Sequence, residues 1–107
     1  MAPTVVVTVA TGQRVHLSSH KVMGSTGSPS WLETGVCYQS TGGGALTVVG
    51  ERMIGLTANW NSIPWGATAV FSPSAGSYNA GLCALTGGPA SWNLNDWGYT
   101  SALVFQP

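Results

Sequence analysis

Hydrophobic and polar residues alternate along residues 14–18 of this chain. There Val15 and Leu17 would point to one side of an extended strand, while His16 and Ser18 would point to the other. A period of two residues is typical of a β-strand that is buried on one face. The pattern therefore predicts strands, and none of the Ala-, Leu-, Glu- and Lys-rich runs that favour helices is found.

Turn signals rich in glycine and proline divide the chain into segments of strand length. They lie at residues 11–12, 24–29, 42–44, 73–76 and 87–89. Between them, strands are predicted at residues 4–10, 13–23, 33–40, 45–50, 67–72, 76–85 and 99–106, with an eighth candidate at residues 53–57. Such spacing is typical of an all-β fold, and it predicts a single-domain antiparallel β-sandwich or jelly roll of seven to eight strands. The whole chain, residues 1–107, is one domain of ordinary size.

An unusual seven-residue phrase occurs twice. The sequence WNSIPWG begins at Trp60, WNLNDWG begins at Trp92, and each runs on into a strand-like ending that closes on proline. The partial internal repeat covers about residues 59–73 and 91–107, and it contains four of the five tryptophans. We expect function to be located there.

Charged residues make up only 6% of the chain, and three basic residues balance three acidic ones. Nucleic-acid binding requires clustered Lys and Arg to neutralise phosphates, so that class is excluded. A chain with zero net charge also has no field to steer it toward anionic membranes. Short-range recognition of a neutral partner remains, and weak charge repulsion between copies favours a homo-oligomer.

Cys37 and Cys83 are the two cysteines of the chain. Their similar positions in two Gly-aliphatic-Cys segments predict a disulfide, formed either within a sheet or across a sandwich, whereas two buried thiols are the alternative. The bond implies an extracellular or cell-surface protein, although Met1-Ala2-Pro3 shows no signal-peptide pattern. No apolar run approaches the roughly 20 residues of a membrane helix, so we expect no membrane insertion.

The sequence indicates neither catalysis nor a metal site. Two histidines four residues apart, His16 and His20, would lie about 13 Å apart on a strand, too far to share a metal, and both are interpreted as facing solvent. The three carboxylates are not paired by any pattern, no Gly-x-Ser-x-Gly elbow occurs, and no phosphate or dinucleotide loop is found. We therefore predict a protein that is not an enzyme and has no cofactor.

One segment, Asn95 to Ser101, resembles the calcium-binding signature of the βγ-crystallins. It has one residue too many between its two halves, and the family's Tyr/Phe-Gly hairpin corner is absent. The first copy has Ile63 and Pro64 where the acidic residues should stand. The resemblance is therefore not adopted, and no metal ligand is assigned.

The chemistry of the repeated phrase suits a neutral sugar. Tryptophan offers a flat face for the C–H side of a sugar ring, and Asn or Asp offers short hydrogen-bonding groups for its hydroxyls. Alternatively, Trp65 and Trp97 could plug the open end of the sandwich, and Trp31 could either do the same or extend an aromatic surface. The candidate ligand-binding residues are Trp92, Asn93, Asn95, Asp96, Trp97 and Tyr99 in the richer copy, with Trp60, Asn61 and Trp65 in the first.

Two functions of different classes follow from these residues. The leading hypothesis is a non-catalytic carbohydrate-binding module or small lectin that recognises a neutral glycan through Trp- and Asn-rich loops. The alternative is a structural, self-assembling module of a cell surface, appendage or particle, in which the same aromatic side chains lie at subunit interfaces, because interface cores favour Trp and Tyr and exclude charge.

Overall fold

The computed structural model describes residues 3–27, 31–55 and 62–107, and for residues 51–55 it describes the backbone. These residues form seven β-strands and one short 3₁₀ helix, so the predicted all-β fold is confirmed. None of the helical residues described forms a segment long and apolar enough to cross a membrane. The elements are β1 (Thr4–Val9), β2 (Arg14–Gly24), β3 (Leu32–Ser40), β4 (Thr47–Gly55), β5 (Ser62–Phe71), β6 (Gly76–Thr86), the 3₁₀ helix Pro89–Ser91 and β7 (Leu94–Phe105).

The strands form a sandwich of two antiparallel sheets. One sheet has four strands in the order β1-β6-β3-β4, and the other has three in the order β5-β2-β7. Their apolar faces meet in one core, where the ring of Tyr38 in the first sheet stacks on that of Phe71 in the second, with centroids 4.7 Å apart. The buried core residues are Val7, Val9, Val15, Leu17, Met23, Leu32, Val36, Ala67, Phe71, Ala80, Leu82 and Trp92.

The fourth strand is longer than the sequence suggested. β4 continues through Gly50 to Gly55, so residues 53–55 of the eighth candidate strand belong to β4, while residues 56 and 57 lie outside the described residues. Gly50 has a φ of +65°, and the pairing of β3 with β4 shifts register between Thr34 and Val36. This irregularity interrupts the alternation of side chains, which is why the pattern resembled two strands.

Two further boundaries were predicted too late in the chain. β5 begins at Ser62 rather than at residue 67, and β7 begins at Leu94 rather than at residue 99. Pro64 disguised the start of β5, but proline is tolerated there because β5 is an edge strand. The described parts of both Trp motifs therefore include strand, and Trp65 and Trp97 lie on strands rather than in loops.

The predicted disulfide between Cys37 and Cys83 is confirmed, with the two Cα atoms 5.8 Å apart. It joins adjacent strands of one sheet, because Cys37 pairs with Gly81 on β6, two residues before Cys83. Its neighbours along β3, Val36 and Tyr38, pack in the core. The alternation of a strand therefore places the disulfide on the opposite face of the four-stranded sheet.

Candidate functional site

The two copies of the Trp motif continue into β5 and β7, the two strands that flank β2. β5 pairs with one edge of β2 and β7 with the other, both antiparallel to it. Along β2 buried residues alternate with more exposed ones from Arg14 to Ser19, so the three-stranded sheet has one side toward the core and one toward solvent. We call the solvent side the outer face. Its cross-strand rows are Val70, His16 and Leu103; Thr68, Ser18 and Ser101; Gly66, His20 and Tyr99; and Pro64, Val22 and Trp97.

A β-bulge sends the equivalent tryptophans of the two copies to opposite sides of the sheet. Between the pairs formed by Lys21 and Met23, the single residue Val22 faces two residues of β7, Asp96 and Trp97, whereas its pairing with β5 stays regular. One extra residue reverses the side to which a strand side chain points. Trp65 consequently packs against the core, while Trp97 is 84% exposed on the outer face.

A cleft of about 450 Å³ opens beside Trp97. We call it the Trp97 cleft. It lies at the end of the outer face where the bulge occurs, and two of its aromatic residues are strongly exposed: Trp97 at 84% and Tyr99 at 62%. The predicted pair Trp97 and Tyr99 is thus brought together. The lining residues are His20, Lys21, Val22, Pro64, Trp97, Gly98 and Tyr99.

The imidazole of His20 forms a fixed wall of the cleft. On one side it stacks on the ring of Tyr99, with centroids 5.3 Å apart and an interplanar angle of 29°. On the other side it lies against Gly66, where an added Cβ would overlap the imidazole Cδ2. Its buried Nδ1 has no hydrogen-bond partner among the described residues. Packing between a glycine and a tyrosine therefore sets the orientation of this ring.

The amide and acid groups of the motif mainly hold the protein itself together. Asn93 accepts a hydrogen bond from the Thr26 backbone N–H at 2.9 Å and donates one to the Thr26 hydroxyl at 2.7 Å. The Asn95 side chain donates to the main-chain oxygen of Trp92 at 2.9 Å, and Asp96 Oδ1 accepts from the main-chain N–H of Trp97 at 2.8 Å. The Asn93 bonds hold the loop at Thr26 in place, and the bonds of Asn95 and Asp96 stabilise the backbone at the bulge.

The remaining predicted residues lie in the core or outside the described residues. Trp92 is 6% exposed and meets the half-buried Trp65 edge to face, with ring centroids 5.6 Å apart. Trp92 is buried, and Trp65 is half-buried and packed against the core, so their burial does not favour a surface site at these two residues. Trp60 and Asn61 lie outside the described residues.

Sequence reasoning missed the contribution of β2 to the site. His20 is half-buried against Tyr99 rather than facing solvent, whereas His16 is exposed as expected. Lys21, also in the cleft, donates from Nζ to the main-chain oxygen of Asp96 at 3.2 Å. The alternation along β2 predicts that His16 and His20 lie on one side of the strand. It does not predict that β2 pairs with the strands of both Trp motifs.

Acidic groups are dispersed in this fold. Glu33 lies on β3 of the four-stranded sheet, and Asp96 lies on β7 of the three-stranded sheet. Among the residues described, no group of three or more His, Cys, Asp or Glu side chains could hold a metal ion. The residues that line the Trp97 cleft offer stacking, apolar contact and hydrogen bonding, together with the Lys21 ammonium, which already donates to the main-chain oxygen of Asp96.

Comparisons with known proteins gave no match: no family model, no curated protein and no solved structure matches the chain.

Proposed function

We propose that this protein is a non-catalytic carbohydrate-binding module, or small lectin, and that the Trp97 cleft binds a neutral glycan. The observation that carries the proposal is the exposure of two neighbouring aromatic side chains, Trp97 at 84% and Tyr99 at 62%, at the edge of a cleft. Large aromatic side chains are usually well buried on average. Two of them exposed side by side on one strand favour a ligand that stacks on aromatic faces.

The other groups at the cleft suit a sugar ring. The side chains of Tyr99 and Trp97 each combine an apolar ring with one polar group, a hydroxyl and an indole N–H. Such side chains can contact both the C–H side of a sugar and its hydroxyls. His20 is fixed between Gly66 and Tyr99, so the wall of the cleft is formed before the ligand arrives. Pre-formed contacts reduce the entropy that binding would otherwise cost.

In the proposed site, stacking on aromatic rings contributes more to glycan binding than hydrogen bonds from amide side chains. Asn93 and Asn95 already use their side chains within the protein, which leaves them poorly placed to serve a ligand. We therefore revise the expected site to Trp97, Tyr99 and His20, with Lys21 and Pro64 at its margin. An extracellular or cell-surface location belongs to the same proposal, supported by the disulfide, because disulfides persist in oxidising compartments.

A glycan-array screen tests the proposal, with wild-type protein and two single-tryptophan variants. Trp97→Ala removes the exposed face in the cleft, and Trp31→Ala removes another exposed tryptophan, 43% accessible, that does not line it. We expect wild type and Trp31→Ala to bind neutral glycans and Trp97→Ala to lose that binding while remaining folded. Binding that survives in Trp97→Ala, or no binding by wild type, would contradict the proposal.

One observation favours self-assembly as a second candidate function. Apolar side chains remain exposed along the outer face beyond the cleft, including Val70 at 49% and Leu103 at 62%. Extended apolar surfaces often mark contacts between proteins. In this case sedimentation velocity should show an oligomer for wild type that dissociates in both Trp97→Ala and Leu103→Ala, and a wild-type monomer at high concentration would rule the function out.

A further inference from the structure

We infer that the Trp97 cleft is one end of a longer binding surface, and that its ligand is an internal segment of a linear neutral polysaccharide lying along the outer face. This inference rests on the proposed function, and it adds the shape and class of the glycan. Three features of the outer face support it: the spacing of its exposed side chains, the polar row between them, and the distribution of charge.

Exposed side chains follow one another along β7. Trp97, Tyr99, Ser101 and Leu103 share the outer face and are all exposed, as are Gly98 and Ala102 between them on this edge strand. At about 3.4 Å per residue, Trp97 and Leu103 are separated by about 20 Å, which is several times the width of one aromatic ring. Such a row is longer than a single terminal sugar needs, and it matches a chain that contacts the sheet repeatedly.

A row of hydroxyl groups lies between the aromatic end and the aliphatic end. Ser18 and Thr68 exchange a hydrogen bond between their hydroxyls at 3.1 Å, and Ser101 pairs with Ser18 from the other side. Hydroxyl groups can rotate and can both donate and accept, so they can follow the hydroxyls of a sugar. Beyond this row, Leu103 and Val70 offer apolar contact to the C–H side of a further ring.

The middle of the outer face carries no carboxylate, ammonium or guanidinium group. From the row of His20 and Tyr99 to the row of His16, none of the residues is Asp, Glu, Lys or Arg. A surface of hydroxyl, imidazole and apolar groups is complementary to a neutral polymer, and Lys21 lies only at the cleft end of it, where its Nζ donates to the main-chain oxygen of Asp96. The amides that could have enclosed a chain end, Asn93 and Asn95, are engaged elsewhere.

Isothermal titration with oligosaccharides of two lengths tests the inference. The probes are cello-, manno- and xylo-oligosaccharides of two and six residues. The variants are Leu103→Ala, at the far end of the outer face, and the control Leu85→Ala, an exposed leucine on β6 of the other sheet. For wild type we expect the six-residue probe to bind at least tenfold more tightly than the two-residue probe of the same sugar.

We expect Leu103→Ala to weaken binding of the six-residue probe by about three- to tenfold and to leave the two-residue probe unchanged, while Leu85→Ala matches wild type for both. Equal affinity for the two lengths, with binding still abolished by Trp97→Ala, would overturn the extended surface and leave the proposed function standing. Failure of every probe, together with silence across the glycan array, would overturn both. Equal behaviour of Leu103→Ala and Leu85→Ala would also overturn the extended surface.

Discussion

Truncating the buried and the exposed tryptophan of the second motif should have very different effects on stability. Trp92 is 6% exposed and packs in the core, so Trp92→Ala removes nearly all of its buried surface. A tryptophan of about 250 Å² at about 25 cal/mol/Å² gives an upper value of about 6 kcal/mol. Measured truncations of buried Phe and Trp cost about 3 to 5 kcal/mol, which is our expectation here.

Trp97→Ala should cost far less. With 84% of the residue exposed, the remaining sixth corresponds to about 40 Å² and about 1 kcal/mol by the same arithmetic. The losses of unfolding free energy in the two variants should therefore differ by about 2 to 4 kcal/mol. This difference tests whether Trp92 lies in the core and Trp97 on the outer face.

Urea denaturation followed by far-UV circular dichroism gives the free energy of unfolding for wild type and both variants with the disulfide intact. A domain of this size typically unfolds with about 5 to 15 kcal/mol, so Trp92→Ala should shift the midpoint strongly. Equal losses in the two variants, or a larger loss for Trp97→Ala, would refute the assignment of Trp92 to the core and Trp97 to the outer face.

Three further variants or conditions test separate parts of the structure. Asn93→Ala should lower the free energy of unfolding by about 1 to 2 kcal/mol through the two lost hydrogen bonds to Thr26, without altering glycan affinity; a loss of affinity in titrations would instead make Asn93 a ligand contact. Gly66→Ala should force the His20 imidazole from its place and weaken glycan binding at least tenfold, whereas unchanged binding would show that this ring is not part of the site. Reducing the disulfide, which closes a separation of 46 residues, should lower the free energy of unfolding by about 3 to 4 kcal/mol, and denaturation curves that coincide with and without reductant would contradict this.

The spacing of the turn signals predicted the sandwich, and the alternation of side chains supported its second strand. β2 illustrates this, because Val15 and Leu17 were assigned to one side from the sequence and both are fully buried in the core. The start of β5 was harder to see, since Pro64 usually interrupts a strand and is acceptable only at an edge. Whether a strand lies at an edge depends on the order of the sheet, which the local sequence does not determine.

The candidate site was predictable as a region but not residue by residue. The repeat treats Trp65 and Trp97 as equivalents, yet the bulge opposite Val22 places them on opposite sides of the sheet. A one-residue shift of register has this effect on any strand, and the sequence around Asp96 contains no clear sign of it. The role of His20 depended on a long-range pairing with Tyr99, so no local pattern could reveal it.

The most direct test of the account is the ¹⁵N–¹H spectrum of the five tryptophan indoles, recorded while a neutral oligosaccharide identified on the array is added. We expect the Trp97 indole signal, assigned by its loss in Trp97→Ala, to shift and saturate, whereas the signal of the buried Trp92 stays in place. A Trp97 signal that does not change with any glycan would contradict carbohydrate binding. If the same signal shifts or broadens as the protein is concentrated, it would indicate self-assembly through the outer face.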